Sequence, residues 1–129
     1  MNDPISDLII RIKNASNTGI DTISIPYSEI KYQISELLHK EGFVKSVNKK
    51  GKKVKKFIEI GVLYKDGRPK VSGVKRISKP GRRVYKSVSL IKPVKQGYGM
   101  LVLSTPLGVL SSKDAKTKKV GGEALFEIW

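Results

Sequence analysis

The sequence predicts an α+β protein, with an N-terminal α-β-α-β-β unit packed against a β-rich C-terminal unit that contains one short helix. Two observations carry this prediction. In the first forty residues, apolar side chains recur at helical spacing in two separate segments. After residue 66, short apolar runs alternate with glycine and proline, which is typical of strands joined by turns. We therefore predict an N-terminal α/β unit at residues 1–66 and a C-terminal β-rich unit at residues 67–129.

Two helices are predicted in the first unit. Asp3 can cap the first helix, Pro4 suits its first position, and the helix should end between residues 14 and 19. Ser28 can cap the second helix, and Gly42 should end it with a left-handed turn. The stripes expected to face the core are Ile5, Leu8, Ile9 and Ile12 in the first helix and Ile30, Ile34, Leu37 and Leu38 in the second.

Short apolar or alternating runs predict the strands. They lie at residues 22–25, 43–47, 54–64, 71–77, 84–90, 100–103 and 124–129. The second and third should form a hairpin around Gly51, and Pro80-Gly81 has the residues of a type II turn. The alternation in residues 84–90 predicts one shared face for Val84, Lys86, Val88 and Leu90. A short helix is expected at about residues 112–119.

The charge predicts a polyanionic partner. The 129 residues include 26 Lys and Arg against 11 Asp and Glu, a net charge of +15, and such a chain attracts nucleic acid. Residues 1–40 hold four basic and five acidic side chains, whereas residues 41–129 hold 22 and six. The excess falls in three blocks, at residues 45–56, 65–95 and 113–119. For the lysines of the first block, a solvated surface is an equally good interpretation.

The composition favours a cytosolic protein without a membrane partner. The chain has no cysteine, and no apolar run approaches the roughly 20 residues that span a bilayer. Its N-terminal residues lack the basic and apolar regions of a secretory signal. We therefore expect a reducing compartment and no membrane segment.

The sequence lacks a catalytic constellation. The only histidine, His39, has no cysteine and no second histidine with which to share a metal ion. For any serine of the second unit, the only possible histidine base lies in the other unit. The glycine-bearing segments match neither the phosphate-binding loop nor the dinucleotide fingerprint. We expect no enzyme activity, metal ion, cofactor or small-molecule substrate.

The C-terminal third favours recognition of folded RNA by its shape. Zinc-finger, basic-zipper and aromatic ribonucleoprotein motifs are missing, and the one basic helix is short. Ser104 and Thr105, followed by Gly108, would let the backbone approach sugar and phosphate closely. The Gly121-Gly122-Glu123 turn can present a carboxylate as a hydrogen-bond acceptor. Taken alone, the Ser104-Thr105 segment is better interpreted as an ordinary surface turn. The alternative for Gly121-Gly122-Glu123 is a tight turn with a surface carboxylate.

Taken in order, these residues resemble the ribosomal protein S8 family over essentially the whole chain. The C-terminal part of the resemblance consists of Gly97-Tyr98-Gly99, Ser104-Thr105, Gly108, the short basic helix, Gly121-Gly122-Glu123 and the closing hydrophobic strand. Its other segments are Asp3-Pro4-Ile5, Arg11-Ile12-Lys13-Asn14, Glu41-Gly42-Phe43 and residues 76–85.

The resemblance implies a structural protein of the small ribosomal subunit, without catalytic activity, that binds the central domain of its rRNA and supports assembly. It also implies neighbouring small-subunit proteins as partners and a cytoplasmic ribosome, with an organellar one left open. The main RNA contacts implied are Ser104, Thr105, Gly108, Gly121, Gly122 and Glu123. Supporting contacts are implied at Pro4, Arg11, Asn14 and Lys31, and weaker candidates are Lys79, Arg82, Arg83 and Tyr85.

The chain departs from the family at one place in the Ser-Thr loop. The family usually has a serine and often a basic residue after Ser-Thr, whereas Pro106 and Leu107 stand here. A hydroxyl donor and a charge are therefore missing, although Pro106 would stiffen the loop. The lysine-rich hairpin at residues 49–56 could supply phosphate contacts instead.

Two alternatives stay open from the sequence. A generic basic module that binds DNA or an acidic protein would show little preference among folded RNAs. An RNA-dependent enzyme would need a catalytic group, and the sequence offers none.

Overall fold

A computed structural model of the chain describes residues 3–129, except for the side chain of Gln96. The helices in this range are α1 (Pro4–Thr18), α2 (Glu29–Lys40) and α3 (Ser112–Thr117). The strands are β1 (Thr22–Pro26), β2 (Val44–Lys50), β3 (Phe57–Val62), β4 (Tyr64–Lys65), β5 (Arg68–Pro69), β6 (Val74–Arg76), β7 (Tyr85–Lys86), β8 (Met100–Thr105), β9 (Gly108–Ser111) and β10 (Gly122–Ile128). Short 3-10 turns cover Val88–Leu90 and Lys95–Gly97. The predicted α+β class and the α-β-α-β-β order of the first elements are confirmed.

The chain divides into two compact units. The N-terminal unit comprises Pro4–Ser72, and the C-terminal unit comprises Asp3 and Gly73–Trp129. The boundary that the sequence suggested, after residue 66, falls at the tip of the β4–β5 hairpin. In that hairpin, Tyr64 pairs with Pro69 and Lys65 pairs with Arg68. Asp3 thus belongs to a different unit from Pro4, the residue that follows it.

The N-terminal unit packs two amphipathic helices with a three-stranded antiparallel sheet in the order β1-β3-β2. Most of the two predicted apolar stripes are buried, as is one face of the sheet. The buried residues include Leu8, Ile9, Ile12, Ile34, Leu37, Leu38, Ile25, Ile58, Ile60 and Val62. Ile5 and Ile30 are only partly buried. The helical spacing therefore predicted the core of this unit well.

Both ends of α2 are as predicted. The Ser28 hydroxyl accepts a hydrogen bond from the Lys31 backbone N–H, at 3.3 Å, which satisfies one of the unpaired amides of the first turn. Gly42 has a φ of +79°. Its N–H donates to the carbonyl of His39, and the Phe43 N–H donates to the carbonyl of Leu38. This is the Schellman arrangement that closes a helix at a left-handed glycine.

The C-terminal unit is built around β10. Its sheet has the order β6-β10-β8-β9, and β7 pairs with the first residues of β10 on the side that β6 occupies further along. The register with β8 shifts between Ala124 and Phe126, which indicates a bulge. The fully buried core residues include Val102, Leu103, Ala115, Ala124, Phe126 and Ile128. The predicted strands at residues 100–103 and 124–129 therefore form the centre of this unit.

Trp129 closes the C-terminal unit against Gly73. The two residues exchange backbone hydrogen bonds of 3.0 and 3.1 Å. A Cβ added to Gly73 would lie 2.6 Å from the indole ring, so an alanine there would force the ring to shift. The Lys95 ammonium lies 4.5 Å from the centre of the ring, within the range of a cation–π interaction.

Several strand predictions were wrong in extent. The run 54–64 becomes β3 from Phe57, and Val54 is 94% exposed in the loop before it. The run 71–77 shortens to Val74–Arg76, and β8 extends to Thr105. The predicted short helix ends at Thr117 rather than near residue 119. Strand β9 was missed because a turn sequence precedes it and only two apolar residues mark it.

The prediction for residues 84–90 was wrong beyond Lys86. The chain leaves the sheet there and forms a 3-10 turn over Val88–Leu90. Leu90 is 57% exposed, whereas the next residue, Ile91, is buried. The shared face predicted for alternating residues of this run therefore does not exist. Alternation over so few residues does not determine which side chains are buried. In the structure the chain turns, so that Ile91 rather than Leu90 is buried.

Candidate nucleic-acid interface

Three predicted contact residues form a row across neighbouring strands of the C-terminal sheet. Ser104 on β8 lies opposite Glu123 on β10, and Glu123 lies opposite Tyr85 on β7. Directly opposite residues of antiparallel strands carry their side chains on the same face. The three side chains are therefore presented together, and we call Ser104, Glu123 and Tyr85 the cross-strand row.

Arg83 joins this row through Glu123. Its guanidinium Nη1 donates to the Glu123 carboxylate Oε2, at 3.2 Å. The Arg83 side chain is 50% exposed and that of Glu123 is 18% exposed, so the pair adds little to stability. The guanidinium does offset the negative charge of Glu123 within the row. Tyr85 is 70% exposed, which leaves its ring open to solvent.

Gly121 and Gly122 bring the backbones of three strands together. A Cβ added to Gly122 would lie 2.2 Å from the carbonyl oxygen of Ser104. One added to Gly121 would lie 2.3 Å from the carbonyl oxygen of Lys86. Both obstacles are backbone atoms, which cannot rotate aside. The close approach that these glycines permit in the structure is therefore to the backbones of β7 and β8.

Thr105 organises the turn between β8 and β9. Its hydroxyl donates to the carbonyl of Gly108, at 2.8 Å, and accepts a hydrogen bond from the Leu107 N–H, at 3.1 Å. Gly108 has a φ of +109°, a conformation that favours glycine. Leu107 projects from the turn and is exposed. The Thr105 hydroxyl, predicted as a donor to RNA, is thus engaged within the loop.

The basic loop at residues 79–83 is closed at its base by Ser78. The buried Ser78 hydroxyl lies 2.8 Å from the Val84 nitrogen and 3.2 Å from the Val84 oxygen. At the tip, the Lys79 and Arg82 backbones exchange two hydrogen bonds of 2.9 Å, and Gly81 has a φ of +83°. This geometry confirms the predicted turn, and it presents Lys79, Arg82 and Arg83 as exposed side chains.

Pro4, Arg11 and Asn14 lie on one exposed face of α1 in the N-terminal unit. Their spacing places them along one side of the helix. The Arg11 guanidinium donates to the carbonyl of Ser24, at 3.2 Å, and lies 3.3 Å from the Asp7 carboxylate. Arg11 and Asn14 also line an open groove of about 530 Å³ between α1 and β1.

Lys31, the remaining N-terminal candidate, lies apart from this exposed face. It belongs to the buried side of α2 and is 8% exposed. Its neighbour one turn later, the Ser35 hydroxyl, donates to the Lys31 carbonyl at 2.7 Å. A lysine stem can lie along apolar surface while its ammonium reaches outwards. Of the four N-terminal candidates, Lys31 offers the smallest surface to a partner.

Two structural roles were missed from the sequence. Ser78 gave no signal, because its partner Val84 lies across a turn and a lone serine is uninformative. The Arg83–Glu123 pair joins residues distant in the chain, and no local pattern predicts which of many basic residues meets that carboxylate. The Arg83–Glu123 contact would have followed only from the strand pairing β7–β10, which places Tyr85 opposite Glu123.

The chemistry of this surface is that of non-covalent recognition. Around the cross-strand row lie a hydroxyl, a carboxylate paired with a guanidinium, and an exposed phenol ring. Such groups can hydrogen-bond, stack and pair with phosphate. Among residues 3–129, no three His, Asp or Glu side chains cluster as a metal site would require. No helix in the same range has the length and apolar character to cross a membrane.

Comparison with known proteins identifies the family. A sequence profile described as Ribosomal protein S8 matches residues 3–129. The chain belongs to the ribosomal protein S8 family. A relative from Mycoplasmopsis agalactiae is 44% identical over 127 residues, which covers 98% of this chain and 97% of the relative. One from Caulobacter vibrioides is 42% identical over 131 residues, with 100% and 98% covered.

A third relative, from Helicobacter pylori, is 41% identical over 130 residues and covers 100% of this chain and 99% of its own length. All three are named small ribosomal subunit protein uS8. As a member of the ribosomal protein S8 family, the chain is a structural protein of the small ribosomal subunit and takes part in translation. The resemblance stated from the sequence is confirmed.

Proposed function

We propose that this protein binds the central domain of small-subunit rRNA directly and supports assembly of the subunit. The observation that carries the proposal is the cross-strand row. Ser104, Glu123 and Tyr85 share one face of the sheet, and the exposed Arg83 guanidinium lies beside them. Four different recognition groups thus meet on or beside one β-sheet.

Each group has a chemical role in this proposal. The Ser104 hydroxyl, for which no intramolecular partner is seen among residues 3–129, can donate to a 2′-hydroxyl or a base edge and can also accept. Glu123 can accept from a base donor, because Arg83 offsets its repulsion of nearby phosphates. Arg83 retains further N–H donors for phosphate, and the Tyr85 ring can stack on an unpaired base.

Thr105 and the glycines act by shaping the surface. Thr105 holds the loop that ends at Gly108, and Pro106 stiffens the same loop, so little further ordering is needed when RNA binds. Gly121 and Gly122 fix the spacing of the strands that carry the row. The two glycines therefore contribute to binding by setting the shape of the site. They can also let the RNA approach the protein backbone closely.

The remaining candidates supply sequence-independent contacts in this proposal. Lys79 and Arg82 in the C-terminal unit and Arg11 in the N-terminal unit are exposed cations that can neutralise phosphates. Pro4 and Asn14 lie on the same face of α1 as Arg11 and would contact the sugar-phosphate backbone of the RNA there. Lys31 has the weakest support, because it is buried.

We also propose that the protein works without catalysis, cofactor or small-molecule substrate, in contact with neighbouring small-subunit proteins on a cytoplasmic ribosome. The relatives named above are bacterial proteins of the small subunit, and the groups of the cross-strand row bind rather than react.

The test is binding of serine and threonine variants to a central-domain rRNA fragment. Ser104→Ala removes a hydroxyl without a structural partner in the part of the chain described, so we expect normal melting and about five- to thirtyfold weaker binding. This corresponds to roughly 1 to 2 kcal/mol for a lost interfacial hydrogen bond. Thr105→Ala should weaken binding similarly, and Thr105→Ser, which keeps the hydroxyl that holds the loop, should restore most of it.

An unrelated RNA duplex of equal length serves as the control. The wild-type protein should bind the rRNA fragment more tightly than the unrelated duplex. In the Ser104→Ala variant, the ratio of these two affinities should be smaller. An equal loss on both RNAs would contradict specific recognition by the row. It would favour a generic basic module instead.

A further inference from the structure

The N-terminal unit carries a cluster of lysines and tyrosines outside the proposed rRNA site. Lys49 lies with its ammonium 5.3 Å from the centre of the Tyr27 ring and 5.5 Å from that of Tyr32. The two rings are themselves 5.8 Å apart. The Lys56 ammonium also lies near Tyr27, 5.8 Å from the centre of its ring. We call Tyr27, Tyr32, Lys49 and Lys56 the lysine–tyrosine cluster.

The sheet topology brings this cluster together. Phe57, the first residue of β3, pairs with Pro26 at the end of β1 and with Lys50 at the end of β2. Tyr27 follows Pro26, and its N–H donates to the Lys56 carbonyl at 3.1 Å. Three chain segments therefore meet at one end of the sheet.

The loop at residues 51–56 is compact. Gly51 has a φ of +95°, and a Cβ there would lie 2.2 Å from the Lys55 carbonyl oxygen. The Lys55 N–H donates to the Lys52 carbonyl at 2.7 Å. The loop lysines thus project from a closed turn.

The charge at this end of the sheet is strongly positive. Six lysines lie at positions 49, 50, 52, 53, 55 and 56, and two of the nearby carboxylates, Glu29 and Glu59, are engaged. Glu59 pairs with Lys50, at 3.1 Å. Glu29 accepts from the Tyr27 hydroxyl, at 2.7 Å, and from Gln33, at 3.2 Å. The hydrogen bond between them raises the pKa of Tyr27 and lowers the pKa of Glu29. Tyr27 is therefore neutral and Glu29 is ionised at neutral pH.

We propose that the lysine–tyrosine cluster is a second RNA-binding surface, which takes phosphates of the RNA backbone. The tyrosines hold Lys49 and Lys56 in place, so less side-chain freedom is lost when a phosphate binds. The ammonium groups lie over the rings, and this arrangement favours phosphate contact over base stacking. The proposal rests on the proposed function for the identity of the RNA, but phosphate binding itself needs no particular sequence.

The test is the salt dependence of binding to the central-domain rRNA fragment. The double variant Lys49→Gln/Lys56→Gln should lower the slope of log affinity against log salt by about 1.4 to 1.8, since each phosphate contact contributes about 0.7 to 0.9. The matched control is Lys45→Gln/Lys65→Gln, which removes one exposed lysine near the other end of β2 and one from the β4–β5 hairpin. That control should change the slope by less than half as much.

A second pair of variants tests the tyrosine. Tyr27→Leu removes the ring but no charge, so affinity should fall about two- to fivefold, the factor that corresponds to an exposed cation–π interaction. Tyr27→Phe keeps the ring and should bind like the wild type. Circular dichroism checks that each variant is folded.

Two outcomes would overturn the proposal in whole or in part. Equal slopes for the two double lysine variants would show that no phosphate binds at this cluster. Unchanged affinity of Tyr27→Leu would refute the positioning role of the ring. If the wild type instead fails to prefer the rRNA fragment over an unrelated duplex, the proposed function fails, while the slope comparison on either RNA still decides this surface.

Discussion

Gly122 determines how closely β10 approaches β8 at the cross-strand row. Its α-carbon lies against the carbonyl of Ser104, the residue that carries the first side chain of the row. A side chain at position 122 would push apart the two strands whose register aligns Ser104 with Glu123. A single missing methyl group therefore sets the geometry of the candidate site.

We predict that Gly122→Ala lowers the free energy of unfolding by about 1 to 3 kcal/mol, the range for a side chain forced into a filled space. The obstacle is a backbone carbonyl 2.2 Å from the added Cβ. Urea denaturation followed by both Trp129 fluorescence and circular dichroism measures the loss. Binding to the rRNA fragment should weaken as well, because the row loses its register.

Gly61→Ala is the matched control for this prediction. Its added Cβ would lie 2.4 Å from the Ser46 hydroxyl oxygen, a side-chain atom that can rotate away. We expect a loss of less than about 1 kcal/mol there. Equal losses for the two variants would argue that strand propensity, rather than the backbone contact, accounts for the effect.

At the scale of elements, α3 depends on its cap and its packing. It has six residues, which is too short for an isolated helix to be stable. The Ser111 hydroxyl accepts from the Asp114 N–H, at 3.2 Å, and Ala115 is fully buried. The helix leads from β9 to the turn before β10, so its stability affects both ends of the candidate interface.

We predict that Ser111→Ala lowers the free energy of unfolding by about 1 kcal/mol, the usual value for a lost N-cap. Ser112→Ala, at the first helical position, serves as the comparison because its side chain is not the cap. Alanine is a good helix former, so that variant should be neutral or slightly more stable. Thermal unfolding of both variants measures the difference, and a larger loss for Ser112→Ala would refute the capping role.

The elements differ in how far the sequence could predict them. Helices α1 and α2 follow from local signals, namely apolar spacing, the Ser28 cap and the terminal Gly42. Short strands depend on partners elsewhere in the chain, so the run 84–90 was misjudged and β9 was missed. For the candidate site, sequence indicated the residue types, but the opposition of Ser104 to Glu123 required the pairing of β8 with β10.

At the scale of the whole molecule, the chain passes between the two units twice. Pro4–Ser72 forms one unit, while Asp3 and Gly73–Trp129 form the other. Asp3 is held by Arg76, whose Nε lies 3.1 Å from the Asp3 carboxylate. The Arg76 side chain, which also donates to the Leu125 carbonyl, is only 8% exposed. The C-terminal unit therefore includes a residue that precedes α1.

We predict that Asp3→Asn lowers the free energy of unfolding of the C-terminal unit by about 1.5 to 3 kcal/mol. Hydrogen bonds to charged groups contribute about that much to stability. The control is Asp7→Asn, which breaks the Asp7–Arg11 pair on the exposed surface of α1. Surface pairs contribute at most about 1 kcal/mol. Differential scanning calorimetry compares the two, and equal shifts would mean that the Asp3–Arg76 pair is no stronger than a surface contact.

The position of Trp129 gives the protein an intrinsic fluorescence probe. Trp129 is the only tryptophan in the chain, and its ring lies between Gly73 and the Lys95 ammonium in the C-terminal unit. Indole emission therefore reports on that unit alone. The two longer helices lie in the other unit, so far-ultraviolet dichroism is weighted towards it. The unlabelled protein thus carries one spectroscopic signal for each half, and a mismatch between the two melting curves would reveal independent unfolding.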